Sequence, residues 1–170
     1  MTATPNSPIT AKTPPLPSED ILHLLKHSRS LCLATIDNKH RPLSSYAPFL
    51  LWEGKITLFL SELAAHTTHL IESKKASVMM IEDEKDSSNI FARRRLILTC
   101  QSNIVAKESP YGQQIIDKME THLGPTMGVL RSLGDFVLFE LDVDEGNFVK
   151  GFGAAFPITR DEWQALTKAN

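Results

Sequence analysis

The chain has 170 residues, 42% of them hydrophobic, and a formal net charge of −2. That length carries one domain with a real core and is short for two, and so small a charge excludes the broad basic field that nucleic-acid binding needs. No apolar run approaches the roughly 20 residues of a membrane span, and the first residues lack the charged start and apolar stretch of a secretory signal, so a soluble cytoplasmic protein is expected. Cys32 and Cys100 both fall in apolar strand-like runs and read as buried free thiols, which suits a reducing compartment.

In chain order, residues 1–17 are rich in Thr, Pro, Ser and Ala, the composition of a disordered tail. Ser18 then caps a helix to about His27, with Glu19 and Asp20 in its first turn and Ile21, Leu22, Leu24 and Leu25 as its apolar face. His23 and His27 lie one turn apart on it, but no Glu, Asp or Cys completes a ligand motif and no metal site is assigned. Residues 31–36 form the first strand, and Asp37-Asn38-Lys39-His40 turns it into an extended run over residues 42–52. Pro42 and Pro48 cannot donate to a ladder and so mark strand ends, bulges or an edge. The interruption at Tyr46-Ala47-Pro48 either leaves backbone groups free for a planar ligand or kinks an edge strand. Glu53-Gly54 then closes a hairpin with a strand over residues 55–61.

At Leu60-Ser61 the pattern changes to a helical one over residues 62–73, with Ser61 as the expected N-cap and His66 and Thr67 on the first turns. Such a helix start offers N–H groups and a positive dipole end to a phosphate or carboxylate; the same pattern also describes an ordinary capped surface helix. Residues 76–81 form a short apolar run that suits a strand buried on both faces. After a charged loop over residues 82–86, Arg93-Arg94-Arg95 opens a strand over residues 96–106. An arginine facing a helix N-terminus gives a phosphate both cation and amides, whereas a solvated strand start would look the same. Residues 110–122 read as a helix carrying Ile115, Ile116 and Met119, broken at Gly124-Pro125 and followed by a shorter helical piece over residues 126–133. Asp135 opens a strand over residues 136–143, Asp144-Glu145-Gly146 turns it, and residues 147–156 form the last strand, where Gly151 and Gly153 suggest a bulge or a close approach. Residues 161–170 read as a short polar tail anchored by Trp163.

About seven strands with short connections and few helices predict a mainly β, α+β domain over residues 18–160, a split antiparallel β-barrel with flanking helices. Dinucleotide, P-loop, nucleophile-elbow, zincin and CxxC motifs are all missing from the sequence. The apolar strands over residues 78–81 and 136–141 call for a partner subunit on one face.

Several segments together carry a family resemblance: Pro42 with Ser45-Tyr46-Ala47-Pro48-Phe49, Ser61 with His66 and Leu70, and Met79-Met80-Ile81-Glu82-Asp83-Glu84. Phe91-Ala92-Arg93 with Arg95-Leu96, Asp135-Phe136, and Phe148-Val149-Lys150-Gly151-Phe152-Gly153 complete them. Over residues 28–156 the chain resembles the FMN-binding split barrel of the pyridoxamine phosphate oxidase superfamily, and within it the haem-utilisation branch. The resemblance implies a homodimer with two cofactor sites at the subunit interface. It places the cofactor against Ser45, Tyr46 and Ala47, and the phosphate near Ser61, His66, Thr67 and Arg95. Asp135 matches an acidic residue of the haem site, and Lys150 joins the candidates through its matching segment. Haem-degrading members carry an axial histidine beyond the Lys-Gly-Phe-Gly strand, and here no histidine follows His122. The expectation is therefore an FMN-binding, flavin-linked oxidoreductase of unknown substrate and redox partner. Haem binding or degradation is the alternative, and a cofactor-free dimeric binding module the second.

Overall fold

The computed structural model describes residues 15–168, so most of the tail expected over residues 1–17, and the last two residues, lie outside the described residues. Eight antiparallel strands form one sheet: β1 Ser30–Ile36, β2 Pro42–Pro48, β3 Leu50–Trp52, β4 Lys55–Ser61, β5 Lys75–Ile81, β6 Arg95–Val105, β7 Phe136–Gly151 and β8 Ala154–Thr159. Five α-helices flank them: α1 Ser18–His27, α2 Ala65–Ser73, α3 Pro110–Leu123, α4 Thr126–Leu130 and α5 Arg160–Lys168. No helix among the described residues is long and apolar enough to cross a membrane.

The strand order is β2-β1-β5-β6-β7-β4-β3, with β8 added on β7. Its two ends, β2 and β3, are separated in the chain by Phe49 alone. Consecutive Cα atoms are about 3.8 Å apart, so the sheet has to curl until its outer strands meet, which makes it a barrel. The expected single run over residues 42–52 is therefore two strands serving opposite ends of the sheet. Pro48, lacking an N–H, ends the first of them, and Phe49, 1% exposed, turns into the core while its N–H bonds Arg29 O at 3.2 Å.

Alternating positions fill the barrel: Leu31 and Leu33 from β1, Val78 and Met80 from β5, Leu96 and Leu98 from β6, all nearly solvent-free. β5 alternates between buried and half-buried residues, so the expectation of burial on both faces is not met within one chain. Cys100 is buried in the core, and that burial pushes its thiol up to about 12, whereas Cys32 lies exposed on the outer face of β1. A smaller cluster of Phe59, Ile115, Ile116, Met119, Met127 and Leu138 sits beneath α3 and α4.

The C-terminal half departs most from expectation. Asp144-Glu145-Gly146 is not a turn; β7 runs unbroken for 16 residues. The register between β6 and β7 shifts at Thr99/Cys100, which leaves Asp144 as an extra, bulged residue. Gly146 is needed for close approach: a Cβ there would meet Leu98 Cδ2 at 2.4 Å and Ile97 O at 2.7 Å. The hairpin comes later, at Phe152-Gly153, where Gly153 takes φ +67°, so the final strand is residues 154–159. The polar tail expected from residue 161 is instead the helix α5. Trp163 on it is fully buried and donates Nε1–H to Gly54 O at 2.7 Å, closing the barrel beneath the β3–β4 hairpin. Trp163 is the anchor expected from the sequence; the helix around it went unread because, besides Trp163, only Leu166 and Thr167 turn inward.

Gly146→Ala should lower stability by about 1–3 kcal/mol, the usual cost of overpacking, while Gly134→Ala, whose Cβ would meet nothing within 4 Å, should stay within about 0.5 kcal/mol. Urea midpoints of the two variants check this; equal midpoints would show that the β6–β7 contact has room for a methyl group.

Candidate functional site

The site is assembled where the ends of β1, β2, β4 and β7 converge with α2, α3 and α4. β4 ends at Ser61, paired with Phe136 at the start of β7. Ser61 Oγ donates to Asp135 Oδ2 at 2.6 Å and accepts from Leu63 N–H at 3.1 Å, and Glu62 N–H donates to Asp135 O at 2.7 Å. This clip fixes the exit of β4 and the entry of β7 together. It also uses Ser61 for the loop rather than for the helix: α2 starts at Ala65, its N-cap is Ala64, and no side chain caps it. Thr67 Oγ1 donates to Ser61 O at 2.6 Å and is fully buried, tying the first turn of α2 back to the strand end.

His66, one residue before, is half-buried and bonded through Nδ1 to Ser45 Oγ at 3.0 Å. Ser45 has one hydroxyl proton and gives it to Leu33 O at 3.1 Å, so at the shared bond His66 must donate its Nδ1–H. The neutral ring is then the tautomer with a lone pair on Nε2. Burial, and after it the field of His69, holds His66 below the ordinary imidazole pKa, which favours that neutral form.

Beside these groups opens a cleft of about 590 Å³, within the roughly 300–1,000 Å³ typical of small-molecule sites. Tyr46, Ala47 and Pro48 form one wall and Ser61, Ala64 and His66 another; Phe59, Met119, Met127, Leu130 and Phe136 give it an apolar lining. The Phe59 and Phe136 rings lie 5.1 Å apart at 35°. Tyr46 is 71% exposed.

Of the expected site residues, Tyr46, Ala47, Ser61 and His66 line this cleft. Ser45 and Asp135 stand directly behind them, through their bonds to His66 and Ser61. The phosphate cradle is not assembled within the chain. Thr67 has spent its hydroxyl on a carbonyl and has no exposed surface. Arg95 does not line the cleft, and its Nη1 donates to Arg93 O at 3.1 Å. Lys150 is also elsewhere, in an ion pair with Asp20 at 2.6 Å. The other two arginines of the run brace the charged loop, Arg93 on Glu82 O and Glu84, and Arg94 on the Glu82 carboxylate.

Sequence reasoning missed Arg29 and the methionine lining. Met119 was legible only as one apolar position of a helix. Arg29, a single basic residue between two serines, carries no local signal, because it becomes a site residue through carbonyls more than ninety positions away.

The family model described as pyridoxamine 5'-phosphate oxidase matches residues 18–150. The chain is 36% identical over 143 residues to Heme oxygenase HutZ of Vibrio cholerae, covering 84% of this chain and 81% of that protein. The crystal structure of HutZ, the heme storage protein from Vibrio cholerae, superposes with a TM-score of 0.75 at 36% identity, over 79% of this chain and 95% of that one. Campylobacter jejuni ChuZ gives a TM-score of 0.78 at 25% identity, over 85% of this chain and 59% of that one.

The neutral His66 has a pH signature. An unfolded histidine takes its proton near pH 6.5, and in the folded chain His66 does so only at lower pH. Between those points the unfolded state binds more protons, so the contribution of His66 to stability is full above about pH 6.5 and is lost as the pH falls below it. Urea midpoints measured from about pH 7.5 to about pH 5 should fall on acidification, and fall less in His66→Gln. Identical profiles would show that burial does not hold this ring neutral.

Proposed function

The chain belongs to the pyridoxamine 5'-phosphate oxidase family, and within it we propose a haem-binding protein of the haem-utilisation type rather than a flavin-linked oxidoreductase. The observation that carries this reading is the 36% identity to Heme oxygenase HutZ across 84% of the chain. The chemistry of the cleft supports it. A flavin mononucleotide needs cations and free amides around its phosphate, and the residues named for that role are buried, neutral or elsewhere. A porphyrin needs flat apolar walls and a strong donor for iron. The cleft offers an apolar lining and, in His66, an imidazole with Nε2 unengaged by its tie to Ser45.

Haem, when bound, would supply the iron centre and its reactivity toward oxygen, the chemistry named in the relative. The chain's own part is to hold and orient. Ser45 fixes the tautomer and tilt of His66, as the partners of metal-bound imidazoles do. The Ser61–Asp135 clip keeps the two strand ends from spreading, and Met119, Met127 and Leu130 exclude water from one side of the cleft.

The same proposal includes a homodimer with cofactor sites near its interface. On the outer face of the sheet, Tyr46, Cys32, Met79 and Ile97 stand directly opposite one another across β2, β1, β5 and β6. This row is exposed at Tyr46 and Cys32 and half-buried at Met79 and Ile97. A second copy of the chain is the occupant that fits, because the row continues into the cleft wall through Tyr46. Two unpaired cysteines suit a cytoplasmic location for such a dimer.

Titration with haemin should give a Soret band at one equivalent per chain, weakened about tenfold or more in His66→Ala, the loss of one coordinate bond to iron. Flavin mononucleotide should bind the wild type more weakly than haemin and should not respond to His66→Ala. A yellow wild type that ignores haemin would return the site to the flavin. Light scattering should give twice the chain mass, and a monomer would remove the dimer.

A further inference from the structure

We infer that the cleft selects amphipathic anions, and that Arg29 is the residue that makes the selection. Among the described residues that line the cleft, Arg29 is the single Lys or Arg, and no Asp or Glu is present. Arg41, Arg93, Arg94, Arg131 and Arg160 each sit within ion-pair distance of a carboxylate. Arg29, like Arg95, has no such partner among the described residues. Arg29 is exposed to solvent at the edge of the cleft, and its charge is the one the lining offers to an anion on the ligand.

The guanidinium is also held in position. Nη2 donates to Leu123 O at 2.7 Å and to His122 O at 3.2 Å, the terminal carbonyls of α3, where the helix dipole favours a cation. A guanidinium carries five N–H donors, and among the described residues no hydrogen bond engages Nη1 or Nε of Arg29. Anchoring one nitrogen fixes the plane of the group and leaves donors for a carboxylate or sulfonate. Ser30 and Thr126, whose hydroxyls are short-range donors, line the same cleft. The ligand class is therefore an apolar, largely flat body bearing an acidic group at one edge. Haem, with its carboxylate edge, is one member, so the inference deepens the haem reading, but it stands on the cleft alone.

The test uses the full chain and two fluorescent probes with one aromatic body, the anionic 1-anilinonaphthalene-8-sulfonate and the uncharged N-phenyl-1-naphthylamine, beside haem and its dimethyl ester. Arg29→Gln keeps a donor for the α3 carbonyls and removes the charge; Arg29→Lys keeps the charge. Arg29→Gln should weaken the sulfonate and haem about ten- to a hundredfold, the value of a charge-assisted hydrogen bond, and shift the uncharged probe and the ester less than about twofold. Arg29→Lys should restore most of the loss. Equal weakening of charged and uncharged probes would reduce Arg29 to a tie for α3 and overturn the inference, as would no change or a wild type that binds neither probe. If haem fails to bind while the sulfonate depends on Arg29, the haem reading falls and the selection stands. If haem binds but Arg29→Gln leaves the probe ratio unchanged, the selection falls and the haem reading stands.

Discussion

One covalent constraint governs the architecture: β2 and β3 lie at opposite ends of the strand order and are separated by a single residue. A flat sheet cannot satisfy that connection, so the sheet must close, and Phe49 is drawn into the core at the seam. Closure brings the end of β2, with Tyr46-Ala47-Pro48, alongside the end of β4, with Ser61. The cleft is the gap left where these ends splay. Its other side is the helical wall of α3 and α4, resting on the small cluster around Met119 and Phe59.

That wall is held by polar ties at several points. At the start of α3, Tyr111 donates to Glu140 at 2.6 Å, and Lys55 pairs with the same buried carboxylate at 2.6 Å. Burial, then the bond to Glu140, raises the Tyr111 hydroxyl well above the ordinary phenol range, which keeps it a donor. At the far end Arg29 grips the last carbonyls, and Lys107 gathers the carbonyls of Leu133, Gly134 and Phe136. A buried carboxylate with partners on both oxygens is costly to disturb, so the helix cannot slide along its greasy seat. The cleft can be apolar and still keep its shape because its rigidity comes from these ties outside it.

Local chemistry was legible in the sequence and distant chemistry was not. Glu53-Gly54 announced a hairpin because the turn needs left-handed residues, and both take positive φ, 50° and 78°. Asp37 announced a turn because its carboxylate can cap the N–H groups of Lys39 and Arg41, and it does. Alternation placed the barrel strands, and the assembled motifs placed the family. Gly146 misled because a glycine required by a neighbouring strand looks the same in sequence as one required by a turn. Ser61 and Thr67 misled for a related reason. Hydroxyls at a helix start ordinarily cap it, but here Asp135, seventy-four positions on, takes the first, and a strand carbonyl takes the second. The expected phosphate cradle counted on those hydroxyls, whereas the choice of flavin over haem came from the lack of a histidine after His122.

The bond from Trp163 to Gly54 spans 109 positions, and it has a bearing on how the chain is made. The first four strands, of which β3 and β4 form a hairpin, leave the ribosome long before the helix that closes the barrel beneath them. β4 pairs with β7 as well, so it too waits for residues far downstream. Contacts this distant make for slow folding, since loop entropy is lost before burial repays it. During synthesis β1, β2 and β5 can pair and β3 can pair with β4, but the second edge of β4 and the apolar inner face stay open until β7 arrives, the kind of surface that chaperones hold and that aggregates when they do not. The barrel cannot gain its bond from Trp163 to Gly54 until the last helix has been translated.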